Sequence, residues 1–151
     1  MESNLLSKIM EKFSLTILIV GILTTLSLPY WVGVILTFWD GRIIGWLYNN
    51  CLIVLYPVGI IAIIAVWNTY QMMRNVNRQQ PFIMNNAKRI KRVAALCVGE
   101  TLLFFLAIYL LQSPTMVIVA LAFGIFSCFL FVMGKLFKQA VIFKEENDLT
   151  I

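Results

Sequence analysis

Four apolar runs decide what this chain can become. They cover Phe13 to about Thr37, Cys51 to about Met73, Val93 to Leu111 and Thr115 to about Phe137, and their only ionised groups are Glu100 and Lys135. Crossing a hydrocarbon core of about 30 Å takes roughly 20 residues at about 1.5 Å per residue. Lipid offers the backbone no hydrogen bonds, so each run must satisfy its own as an α-helix. Polar or turn-forming segments divide them: Asp40-Gly41-Arg42, Arg74 to Arg92, and Gln112-Ser113-Pro114. The fold class expected is all-α, an integral membrane four-helix bundle formed by one transmembrane domain over residues 1–151. The first run exceeds a signal-peptide core and no small-residue cleavage site follows, so it reads as a retained helix.

Composition points the same way. Hydrophobic residues make up 61% of the 151 and charged residues 13%, against about 45–50% and about 25% in soluble domains. Four helices use nearly the whole length, leaving no room for a soluble catalytic domain. The net charge is +5, and its placement sets orientation. Arg74 to Arg92 holds six basic residues and no acid. Lys8, Lys12, Lys135, Lys138 and Lys144 join them if there are four spans, and only Arg42 is left on the other side. Basic segments stay in the cytoplasm. Both termini, the basic loop 74–92 and the tail 138–151 are therefore expected inside. Trp31, Trp39, Trp46, Tyr48, Tyr56 and Tyr109 collect near the outer boundary, and Trp67 and Tyr70 near the inner one, as two aromatic belts do. Ile43, Ile44, Trp46 and Leu47 suggest a short interfacial turn of helix in the first outer loop; an irregular loop with anchoring aromatics fits as well.

Chemistry-bearing residues are few. There is no histidine, and the three cysteines follow no metal-ligand or CxxC spacing. Cys51, Cys97 and Cys128 read as small buried hydrophobes at depths that form no disulfide. No catalytic constellation, metal site or cofactor site can be named, so no enzyme is expected. Glu100 is the only acid within a span, and an ionised carboxylate in lipid must be paired, hydrated or protonated. Asn68 and Thr69 are expected at a similar depth, with Thr16, Thr101 and an inward-reaching Lys135 nearby. Glu100 reads either as a proton-responsive or ligand-binding acid or as a structural hydrogen bond between helices, and a position near the inner boundary favours the structural reading.

Proline and small residues shape the spans. Pro29 should bend the first helix, with Thr24 and Thr25 placed to bond the freed carbonyls, and Pro57 acts similarly in the second. Three residues join the last two spans, which requires a tight antiparallel hairpin. The pairs Ala95/Gly99 and Ala120/Gly124 permit close helix approach, each to a different neighbour, in the bundle or in a second copy of the chain.

The basic loop runs Pro81-Phe82, Asn85-Asn86, Lys88-Arg89-Ile90-Lys91-Arg92. An Asn can cap the helix that follows, which then starts below the membrane. Cations at that end oppose the helix dipole, so anionic lipid headgroups are the partner expected to offset them, at about 1 kcal/mol per basic residue. Direct nucleic-acid binding would need interleaved aromatics or a motif, and neither is present. The C-terminus, Glu145-Glu146-Asn147-Asp148-Leu149-Thr150-Ile151, reads as a solvated tail or a docking segment.

These two motifs resemble those of DUF2975, a family of bacterial four-helix membrane proteins. Its members show Pro-Phe, an acid-Asn pair and a Lys/Arg-rich start to the third helix; here Asn85 stands where the acid usually is. They end on a glutamate-rich segment running into Asp-Leu-Thr and a β-branched residue. The resemblance implies a multi-pass protein of the bacterial cytoplasmic membrane, often encoded beside a small helix-turn-helix regulator. It implies a non-enzymatic membrane partner that binds or modulates that regulator through the basic inner loop and the tail. The alternative is a small transporter, or an immunity protein against a toxin or bacteriocin, using Glu100 within the bundle.

Overall fold

The computed structural model describes residues 2–40, 45–78 and 80–149, without the side chains of 2–6, 39, 40, 148 and 149. Every element among them is an α-helix: α1 Glu2–Leu26, α2 Leu28–Asp40, α3 Gly45–Asn77, α4 Met84–Leu111 and α5 Thr115–Leu149. Four of these are long and apolar enough to cross a membrane, and α2 is shorter.

The first apolar run is two helices, broken at Ser27. Pro29 has no N–H for the Thr25 carbonyl, and Tyr30 N and Trp31 N both turn to Ser27 O (3.1 and 3.2 Å). The hydroxyls act differently from expectation. Ser27 Oγ donates to Thr24 O at 3.1 Å, while Thr25 Oγ1 bonds Gly21 O at 2.8 Å, one turn before the freed group. The second half, α2, then lies on the start of α3. It buries Val32 and Leu36 and accepts a bond from Tyr48 Oη at Pro29 O, 3.3 Å long. Helix α3 by contrast runs unbroken through Pro57.

Residues 45–50 open α3 rather than forming a separate interfacial turn; Ile43 and Ile44 of that expectation lie outside the described residues. At the other end α3 continues to Asn77 and α4 starts at Met84, so among the described residues of the basic segment only 78 and 80–83 lie outside helices. Helix α5 also continues well past Phe137, to Leu149. Its further residues keep their contact with the molecule through Val141, which is fully buried.

Gln112, with φ 50° and ψ 35°, closes α4 in the left-handed conformation. Ser113 and Pro114 complete the tight hairpin to α5, and Met116 N returns to Ser113 O at 3.2 Å.

The helices pack in chain order. Helix α1 packs on α3, α3 on α4, and α4 on α5, with the last seam the most extensive. Among the described residues no Cα of α1 comes within 8 Å of α4 or α5, nor any of α3 of α5. The bundle is thus an open row with apolar side chains facing outward along most of each span, the arrangement lipid solvates. Small residues let the helices close on one another. A Cβ on Gly59 would stand 2.8 Å from Thr25 Oγ1, one on Gly99 3.7 Å from Ile61, and one on Gly124 3.6 Å from Thr101. Gly99 therefore serves the α3 seam and Gly124 the α4 seam, two different neighbours.

Candidate functional site

Polar side chains tie the three seams into one register. Between α3 and α4, Asn50 Nδ2 donates to Leu110 O (3.3 Å) and Asn75 Nδ2 to Asn86 Oδ1 (2.7 Å). Between α1 and α3, Asn77 Nδ2 reaches Ser7 O and the Glu11 carboxylate. Between α4 and α5, Ser127 Oγ donates to Ala94 O at 3.0 Å, and Gly134 meets the Lys91 side chain.

That register collects the cations. Lys8 and Lys12 on α1, Arg74 and Arg78 at the end of α3, Lys88, Arg89, Lys91 and Arg92 on α4, and Lys135 and Lys138 on α5 share one belt, about 15 Å deep at 1.5 Å per residue. Glu11 lies within it, bonded to Asn77. From Val93 to Leu111 the α4 axis then covers about 28 Å, close to one hydrocarbon core. Trp46 and Tyr109 stand together at the far end, beside Asn50 and Gln112. Trp67 and Tyr70 pair at the belt, 5.7 Å between ring centroids.

The turn at the basic end is built around Asn86. It does not cap α4: the residue before the helix is Ile83, with no side-chain cap. Asn86 sits inside the first turn, 1% exposed, accepts from Asn75 and donates to Pro81 O at 2.8 Å. Phe82 stacks on Phe137 of α5, 5.5 Å between centroids. Asn85 and Lys88 are exposed, as are Lys91 and Arg92. Arg89 is half-buried, and its Nε has no hydrogen-bond partner. Past this turn α5 carries Lys144, Glu145 and Glu146 outward on a continuous helix. The side chains of Asp148 and Leu149, with Thr150 and Ile151, lie outside the described residues.

Glu100 belongs to a different level. It is 3% exposed, and its Oε2 has no hydrogen-bond partner. The register sets it opposite Ile60 and Ile61, whereas Asn68 and Thr69 stand opposite Arg92 and Lys91. The structure therefore does not bring the three together: about 12 Å of depth separates Asn68 from Glu100. Lys135 is level with Ile90 and does not reach in. Asn68, also buried, bonds its own helix at Ile64 O (2.8 Å), leaving Oδ1 unpartnered; Thr69 Oγ1 bonds Ala65 O. Sequence reasoning missed the Asn75–Asn86 and Asn77–Glu11 bridges, although those asparagines stand out among the residues around the turn.

All three cysteines are free. Cys97 and Cys128 share a level, one buried and the other exposed on the lipid-facing side. No group of three or more His, Cys, Asp or Glu side chains able to hold a metal occurs among the described residues. A family model described as "Protein of unknown function (DUF2975)" matches residues 22–151. Neither the comparison with curated proteins nor that with solved structures finds a match.

Proposed function

The chain belongs to the DUF2975 family, and from that premise we propose that it is a membrane-embedded docking protein whose basic end faces the cytoplasm and binds a soluble regulator of the helix-turn-helix type. The observation that carries this reading is the cationic belt, nine basic residues on four helices with Arg78 just past the end of α3, gathered at one end of the bundle. Beside it α5 projects past the turn with Glu145 and Glu146 exposed. A basic face next to an acidic post offers charge of both signs, which sets the orientation of a partner. Basic segments are retained on the cytoplasmic side, where a soluble regulator would meet them. No catalytic group enters the reading.

Co-purification from membranes with a small helix-turn-helix protein tests it. Deleting Glu145 to Ile151 and neutralising Lys88, Arg89, Lys91 and Arg92 should abolish capture. Undiminished capture by that variant would remove the proposed surface.

A second reading rests on Glu100. A buried acid whose Oε2 has no hydrogen-bond partner, about 10 Å along the helix axis from the basic end of the span, suits a small transporter or an immunity protein that meets a toxin in the bilayer. Here Glu100→Gln should abolish flux or protection while regulator capture persists. Full activity in Glu100→Gln would end this reading.

A further inference from the structure

Glu100 lies between two residues whose contacts fix where it points. Gly99 faces Ile61 of α3, and Thr101 faces Gly124 of α5. Successive helical residues are about 100° apart, so Glu100 points into the angle between α3 and α5. Those two helices do not approach one another, and side chains fill the wedge until Glu100 is 3% exposed.

Nothing charged faces it there. Helix α3 has no Asp, Glu, Lys or Arg from Gly45 to Met73, and α5 has none from Thr115 to Gly134. On α4 the nearest cation is Arg92, eight residues away, or about 12 Å along the axis. The titratable groups at comparable depth are Cys97, one turn nearer the basic end, Cys128 on α5 level with it, and Tyr56 on α3. Helix α1 is screened behind α3. Thr101, the adjacent hydroxyl, is committed to Cys97 O at 2.8 Å. A bare carboxylate in such a place, out of water and with no cation beside it, is strongly disfavoured. A metal ion would need several ligands, and no group of three or more His, Cys, Asp or Glu side chains gathers among the described residues. The cation that can enter without space or ligands is a proton.

We propose that Glu100 is a proton-binding site inside the membrane, occupied in the closed arrangement seen here and emptied only when α3 or α5 shifts to admit water. The proposal deepens the Glu100 reading and rests on it only for what the proton is used for. Infrared spectroscopy of the full chain in lipid vesicles at neutral pH tests occupancy directly. The difference spectrum between the unmodified chain and Glu100→Gln should contain the carbonyl band of a protonated carboxylic acid and no carboxylate bands. Carboxyl-¹³C glutamate in the unmodified chain should shift that same band, which removes any dependence on how the variant folds. Carboxylate bands in the difference spectrum, or no isotope-sensitive acid band, would overturn the proposal. An acid band with no effect of Glu100→Gln on flux would keep the site and remove the transport role.

Discussion

At the scale of residues, the tightest constraint is Gly59. Both γ atoms of Thr25 lie within 3 Å of where a Cβ would stand, so rotating Thr25 about χ1 gives little relief. Gly59→Val should destabilise the fold by about 1–3 kcal/mol, as overpacking does. Thermal unfolding in detergent measures it, and combining it with Thr25→Ala should recover part of the loss. Gly21→Ala, with its nearest neighbour at 3.9 Å, should be nearly silent. Asn86 is the second test. Asn86→Ala leaves the Asn75 amide without its partner and removes one of the two bonds to the Pro81 carbonyl, whose other donor is Ile83 N; this should cost about 1–3 kcal/mol. Wild-type stability in that variant would mean the turn is held by its backbone hydrogen bonds and by the Phe82–Phe137 stack without the Asn86 side chain. Sequence singles out Glu100 and the Asn85-Asn86 pair, but not their surroundings. Counting from an assumed helix start gives depth within one span but not the register between spans. Asn68 was therefore placed beside Glu100 when it belongs to the cationic belt. The Asn85-Asn86 pair reads as a source of a cap because the backbone turn at Pro81, which the Asn86 side chain completes, leaves no trace in residue type.

At the scale of elements, hydropathy made the four long helices legible, since an apolar run in lipid has no other secondary structure open to it. Their ends were not legible. Helices α1, α3, α4 and α5 run past their apolar limits because polar helix formers continue them into the headgroup region and beyond. Pro29 announced a disturbance, but a full break needed Ser27 to collect the two following amides. The far part of α5 separates packing from projection. Removing Lys144 to Ile151 should leave the unfolding temperature nearly unchanged, because those described side chains are exposed. Val141→Asp, two residues before the exposed Phe143, should lower it clearly by burying a charge. Equal effects of the two changes would show that the outer turns of α5 are packed rather than projecting.

At the scale of the whole molecule, the open row follows from the solvent. Lipid tails are as apolar as leucine, so exposed apolar faces carry little penalty and helices associate through small residues and interhelical hydrogen bonds. The asymmetry lies along the membrane normal instead, with cations at one end and Trp46 and Tyr109 at the other. Four helices are long and apolar enough to cross a membrane, and the proposed orientation puts their basic end in the cytoplasm. Single cysteines in a background of Cys51→Ala, Cys97→Ala and Cys128→Ala test it most directly, using a membrane-impermeant maleimide on intact cells. Ser113→Cys should label at once, whereas Gln80→Cys and Asn147→Cys should label only after the membrane is opened. Labelling of Gln80→Cys in intact cells would contradict the orientation, and labelling of both Ser113→Cys and Gln80→Cys there would contradict the spans themselves.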